Sequence, residues 1–287
     1  MFQMAKVEAP NLINLGCGDR IHTAWTNYDL HARVPGVVEC DFLNGIPLED
    51  ASASVVYSAA VLEHIPRSAV TQFLGECSRI LRPNGLIRLA VPDFESQARL
   101  YLDFVGRAAE GDPDAAERLE WMVLEMIDQV GRDKKGGGMA EFLAVRGQAH
   151  RQFLLDRIGK EGGHLLDKLK GRNIKAEIDF KSYRSWMVRG SFLGVWLLKF
   201  LLKSKDIRKD LAALEVGRFR LFQGEVHQWV YDRASLIRLM QEHGFGDLRI
   251  MAHGESRIPD WKSYQLEIDE NGQVEKPDLL IVEGVKI

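Results

Sequence analysis

Between Asn11 and Asp93 the chain alternates short runs of aliphatic and β-branched residues with turns and one amphipathic stretch, and this alternation restricts the fold to a parallel α/β sheet. The runs predicted as strands are Leu12–Leu15, Thr26–Asp29, Val37–Cys40, Val55–Ser58 and Leu86–Val91. Between the last two, Val70, Phe73, Leu74, Cys77, Ile80 and Leu81 fall on one stripe of an α-helix, opened by Pro66 and closed by Pro83-Asn84-Gly85. Near the other end, Asp232 is placed to cap a helix carrying Leu236, Ile237, Leu239 and Met240 that stops at Gly244. Two further strands, Asp247–Met251 and Leu279–Val285, follow with Asn271-Gly272 in the connection between them.

The region from Phe94 to about Gly224 reads as mostly helical, interrupted at Lys134–Gly138 and at Glu161-Gly162-Gly163. Lying between the fifth strand and the last two, it is expected to be an insertion, which divides the chain into residues 1–93, 94–224 and 225–287. The net charge of −3 hides an asymmetry. Residues 151–210 hold 15 Lys and Arg against 7 Asp and Glu, while the rest holds 23 against 34. Three scattered cysteines, Cys17, Cys40 and Cys77, form neither a disulfide framework nor a zinc pattern and point to a reducing cytoplasm. Met1–Pro10 lacks the apolar core of a secretory signal, and the run Phe192–Leu198 is too short to span a bilayer. No dense Asp, Glu and His cluster suggests a metal.

Leu12-Ile13-Asn14-Leu15-Gly16-Cys17-Gly18 is a strand ending in a tight turn without obstructing Cβ atoms, so its backbone amides can approach a ligand. Ile21 stands where a dinucleotide fingerprint needs its third glycine, which weighs against a nicotinamide cofactor. Asp29 and Asp41 end the second and third strands, Leu62-Glu63-His64 follows the fourth, and Val91-Pro92-Asp93 ends the fifth. In this order and spacing, together with Leu81-Arg82-Pro83-Asn84-Gly85, the chain resembles class I S-adenosylmethionine-dependent methyltransferases of the small-molecule type (methyltransferase type 11). The resemblance covers Asn11 to about Leu102 and, less closely, His227–Val285. It implies a seven-stranded Rossmann-like sheet ending in an antiparallel pair, with the long helical insertion after strand five. It also implies S-adenosylmethionine as cofactor, the methionine part held by Gly16 and Gly18, the ribose by Asp29, and the adenine flanked by Asp41 and Phe42. Asn14, Cys17 and Ser58 complete the implied cofactor set. Asn14 replaces the family's usual acid, Arg20 its third glycine, and the first helix is nearly absent. Asp128-Gln129, Arg132 and Gly137-Gly138-Met139 are similar to a motif of bacterial methyltransferases associated with surface-glycan assembly.

Methyl transfer to a hydroxyl requires alignment and removal of a proton, a task suited to histidine near neutral pH. His227 lies in Val226-His227-Gln228-Trp229-Val230-Tyr231-Asp232, where His, Trp and Tyr would share one face of an extended chain. His64 is the second candidate base, the alternative being a structural hydrogen bond. Asp93 is expected either to orient a base or to cap the helix that starts at Phe94. The Asn/Asp-Pro-Pro-aromatic signature of nucleic-acid base methylation is missing after strand four, and the isoelectric point near 6.3 disfavours a nucleic-acid partner. The expected activity is O-methylation of a sugar, glycan or related small molecule. The rival reading is a non-catalytic binding module with a degraded cofactor cleft. Residues 181–209 are rich in Trp, Phe and Leu with flanking Lys and Arg, which suits either a lid over the site or an amphipathic element at the inner membrane face that meets lipid-linked acceptors.

Overall fold

The computed structural model describes residues 11–170, 213–220 and 225–287. Seven strands form one sheet in the order β3-β2-β1-β4-β5-β7-β6: β1 (Leu12–Leu15), β2 (Trp25–Asp29), β3 (Val37–Glu39), β4 (Ala53–Ala59), β5 (Leu81–Pro92), β6 (Phe245–Met251) and β7 (Leu279–Lys286). The first five pair in parallel, whereas β7 runs antiparallel to both β5 and β6. This is the α/β class expected, with helical sequence following the fifth strand.

Side-chain alternation sorts the central strands onto two faces. Ile13, Leu15, Val56, Ile87 and Leu89 face one core, built with Val70, Phe73, Leu74, Cys77 and Ile80 of α1 (Val70–Ile80) and with Leu236 and Met240 of the helix Arg233–Glu242. The expected stripe of α1 is thus its buried stripe. The helix Arg233–Glu242 starts in a capping box, in which Asp232 accepts from the Ser235 amide and Ser235 returns a bond to the Asp232 amide.

The other face has a different cover. The connection from Gly16 to Ala24 is shorter than the dozen or so residues of a helical crossover and contains no helix. The connection between β6 and β7 lies there instead, packing Ile258, Trp261 and Leu266 onto Leu12, Trp25, Val55 and Tyr57. Trp25, Tyr57, Trp261 and Tyr264 meet edge to face, with ring centroids 5.0 to 6.4 Å apart. Beneath them Arg88 of β5 is fully buried. It donates two bonds to Glu267, at 2.8 and 2.6 Å, one to Glu283 at 2.6 Å and one to the Glu255 carbonyl at 2.9 Å. Its guanidinium also lies 4.6 Å from the Trp261 ring centroid. Arg20 forms a bidentate pair with Glu275 in the same connection.

Two local expectations are corrected. Pro83-Asn84-Gly85 does not merely close α1: the helix ends at Ile80 and these residues fall within β5, with an irregular register opposite Ala53 and Val55 and Asn84 at φ +61°. The helix Arg151–Leu169 breaks at Gly159 and not at Glu161-Gly162-Gly163. Gly159 adopts φ +58°, and an added Cβ would sit 2.4 Å from the Glu275 carbonyl oxygen, so this backbone position is closed to any other residue.

By compactness the described residues divide into a sheet unit, within residues 11–96, 157–160 and 228–287, and a helical unit, within residues 97–156, 161–170, 213–220 and 225–227. In the helical unit Trp121 is fully buried against Phe142 and donates to Glu125 at 2.8 Å. Among the described residues no helix is long and apolar enough to cross a membrane. The stretch 181–209 lies outside the described residues.

Replacing Arg88 by Met leaves Glu267 and Glu283 buried with their principal counter-charge gone. Loss of one partner from such a pair costs about 3 to 5 kcal/mol. Urea unfolding of Arg88→Met is expected to show that loss, with recovery when Glu267→Gln and Glu283→Gln are added; a single variant within 1 kcal/mol of the parent would remove Arg88 from this role.

Candidate active site

The carboxyl ends of β1, β2 and β4 carry most of the expected cofactor residues. Leu15 is level with Tyr28 on one side and Ser58 on the other, so the Gly16–Gly18 turn leaves the sheet between β2 and β4. Gly16 and Gly18 have φ of +71° and +55°, a region that favours glycine. An added Cβ at Gly16 would come within 2.1 Å of Val61, whereas at Gly18 it would meet nothing within 4 Å. The first glycine is needed for close packing, and the second leaves open space. Asp29 accepts from the Gly18 amide at 2.8 Å through one carboxylate oxygen and from the His31 amide at 3.0 Å through the other. It thereby fixes the turn, and each oxygen keeps a lone pair for a further donor. Ser58 is 3% exposed and its Oγ has no hydrogen-bond partner. An orphaned hydroxyl at the end of β4, an open glycine face and a half-buried carboxylate fit a polar cofactor bearing a ribose and an amino-acid moiety.

Other expected contacts are employed differently. Asn14 is buried and its Nδ2 donates to Asn27 and to the Arg20 carbonyl, bracing the turn from below where the family's acid would face the ligand. The Phe42 ring packs into the core against Phe73, with centroids 5.9 Å apart, so it is not available as an open face for adenine. Asp41 is exposed and accepts from the Leu43 amide and the Asn44 side chain. The Cys17 thiol is buried; desolvation and the neighbouring Asp29 push its pKa up to about 12, so it is no nucleophile. Asp93 accepts from the Ser96 amide at 3.1 Å, the capping role of its two alternatives.

His64 ends the short 3-10 turn Leu62–His64 after β4 and is 26% exposed. Glu63 in the same turn is 1% exposed. Neither carboxylate oxygen of Glu63 has a hydrogen-bond partner, although His64 Nε2 lies 4.0 Å from Oε1. Its backbone carbonyl accepts from the amides of Gln228 and Trp229, at 2.6 and 3.3 Å, which fixes the turn against the segment before Arg233–Glu242. Burial pushes the Glu63 carboxyl up to about 7; Lys276 opposes this and Asp278 adds to it. Nothing in the sequence distinguished Glu63 from a helix-turn acid, because its burial is created by residues 228–231 and 276–278, far along the chain.

The expected single face of His227, Trp229 and Tyr231 does not form. Trp229 is exposed, with the Arg67 guanidinium 4.3 Å from its ring centroid, while Tyr231 is buried in the core and bridges to Asp93. His227 belongs to the helical unit, where its amide donates to the Gln129 carbonyl at 2.9 Å. The Asp128, Arg132 and Gly137-Gly138 motif is structural there. Arg132 bridges Asp128 and Glu225 at 2.6 and 2.8 Å, Asp128 accepts from the Gly138 amide, and Glu225 accepts from the Gly136 amide. A Cβ at Gly137 would fall 2.3 Å from the Asp128 carboxylate. The motif therefore holds residues 225–227 in place.

Residues 17–89 match the family model described as a methyltransferase domain. A probable S-adenosylmethionine-dependent methyltransferase of Mycolicibacterium smegmatis is 40% identical over 122 residues, covering 41% of this chain and 46% of that protein. Both matches fall on S-adenosylmethionine-dependent methyltransferases, and the sheet unit is similar to a class I methyltransferase domain of that kind. The chain spans less than half of that curated relative. Among solved structures, a Thermotoga maritima methyltransferase described as a possible histamine N-methyltransferase is 9% identical, covering 96% of this chain and 82% of that one at a TM-score of 0.38. The carbon methyltransferase CurJ is 10% identical, covering 99% and 50% at 0.39.

A carboxyl raised from 4.5 to about 7 on folding stays protonated in the native state while the unfolded chain ionises. Its stabilising effect is complete below the unfolded value and is lost as pH rises through 7. Over that window the parent is expected to lose on the order of 3 kcal/mol through this group. Glu63→Gln removes the loss, so the difference in urea stability between parent and variant is expected to change with pH from 4 to 8; a constant difference would place the Glu63 titration elsewhere.

Proposed function

We propose that this chain transfers a methyl group from S-adenosylmethionine to a hydroxyl of a sugar, glycan or related small molecule. The observation that carries the cofactor half is the carboxyl end of β1 and β4, where an open Gly18, the Asp29 carboxylate and the orphaned Ser58 hydroxyl converge. The bound cofactor supplies an electrophilic methyl group on a sulfonium. Gly16 and Gly18 provide the close backbone approach, Asp29 accepts from ribose hydroxyls, and Ser58 offers its unused hydroxyl. Supporting a sugar acceptor, the indole of Trp229 is 40% exposed with the Arg67 guanidinium over one of its faces, which puts aromatic surface and hydrogen-bond donors together as recognition of a sugar requires. The candidate bases are His64 in the sheet unit and His227 in the helical unit. The composition of residues 181–209 supports an acceptor held at an anionic lipid surface.

S-adenosylhomocysteine at about a hundred times its dissociation constant is expected to stabilise the fold by about 2.7 kcal/mol. Asp29→Ala should weaken calorimetric binding at least tenfold, through loss of charge-assisted bonds and of the Gly18 brace. Absence of any stabilisation would instead favour a non-catalytic binding module. Transfer of a labelled methyl group to a panel of methyl glycosides tests the acceptor, and His64→Ala and His227→Ala are each read for the 10² to 10⁴ fall, roughly, that a positioned base contributes. Sedimentation with anionic vesicles at low salt tests the surface: protein left wholly in the supernatant argues for a soluble acceptor.

A further inference from the structure

We propose that Glu63 is a positioning residue for His64, its carboxylate pairing at the carboxyl end of β4 with the imidazolium that forms when His64 receives the proton of the methyl acceptor. The inference rests on the methyltransferase reading for its chemistry, but on geometry alone for the pair. Glu63 is too deeply buried to touch an acceptor, whereas His64 is partly exposed, and His64 Nε2 faces Glu63 Oε1 at 4.0 Å. A carboxylate with both oxygens unpartnered is costly to keep in a protein interior, and a nearby imidazole that becomes positive relieves that cost. The turn is held rigidly enough for this role. The Glu63 carbonyl is pinned by two amides, the His64 amide donates to Val61, and Ala60 at φ +53° is fixed by its amide donating to Ala90 of β5.

The proton balance is simple. As the acceptor oxygen forms its bond to the methyl carbon, its proton moves to the imidazole while the O–H electron pair stays on oxygen; the broken S–C bond leaves its pair on sulfur. The imidazolium then faces the Glu63 carboxylate. The other titratable or charged groups of the sheet unit that act on Glu63 are Lys276 and Asp278 from the segment before β7 and Tyr231 from the segment before Arg233–Glu242, with Arg67 acting on Tyr231. Burial and Glu63 together push the Tyr231 phenol up to about 12, so it stays protonated through the neutral range. The two protons of a coupled pair of groups leave in two macroscopic steps.

Histidine-selective NMR of the full chain with S-adenosylhomocysteine, titrated from pH 5 to 9, tests the pair without any acceptor, His64 being assigned from the signal missing in His64→Asn. In the parent the His64 curve is expected to show two steps. In Glu63→Gln it should become a single step with its midpoint lower by about one unit, because the anionic neighbour is gone. Glu63→Asp should keep the parent's midpoint. A residue that merely supports the fold would change stability and leave that midpoint in place, so a His64 midpoint within about 0.2 units of the parent in Glu63→Gln would overturn the proposal. So would turnover abolished by EDTA and restored by Mg²⁺. A chain that shows the two-step curve but no binding of S-adenosylhomocysteine would sink the methyltransferase reading and leave the pair standing; binding with no shift at His64 would sink the pair alone.

Discussion

The sheet unit is governed by what the chain leaves out between β1 and β2. A parallel pair needs a crossover, and the crossover normally supplies the helix that covers one face of the sheet. Here Gly16–Ala24 only returns the chain, so Leu12, Trp25, Val55 and Tyr57 would face water without another cover. The β6–β7 connection provides it with an aromatic cluster, and Arg88 ties that irregular segment to the sheet through Glu267 and the Glu255 carbonyl. A buried charge is a poor source of net stability but a strong source of registry, since only one placement of the connection satisfies all its donors.

The same omission sets the character of the cofactor end. A following helix would normally anchor the glycine turn. In its absence the turn is held by side chains: Asn14 from below, Asp29 from the next strand, and Arg20 through Glu275. Two of the departures from the pattern of the resembled family, Asn14 and Arg20, thereby become intelligible as bracing of the turn. Asp29 holds the Gly18 amide through one carboxylate oxygen and the His31 amide through the other.

The positions of the strands and the stripe of α1 were legible because they depend on local periodicity: Val70, Phe73, Leu74, Cys77 and Ile80 announce their face within one helix. The Gly16, Gly18 and Asp29 arrangement was legible for a related reason, since a turn and the end of the next strand are close in sequence. Phe42 was misread because an aromatic beside a binding loop looks the same whether it faces ligand or core, and only the position of Phe73 decides. Alternation of His227, Trp229 and Tyr231 suggested a strand, yet the backbone there is irregular and each ring finds a different environment. Glu63 was invisible as an unusual acid because the residues that bury it arrive from more than 160 positions later.

All three cysteines sit in the sheet unit, buried and outside any disulfide, at the glycine turn, after β3 and on α1. Burial raises each thiol above its ordinary value, so the reactive thiolate is scarce while the structure is closed. Their alkylation therefore proceeds at the pace of local opening, and each reports a different depth: Cys17 the breathing of the cofactor turn, Cys40 the loop after β3, Cys77 the parting of α1 from the sheet. The protein carries its own internal clock for the order in which its layers come apart.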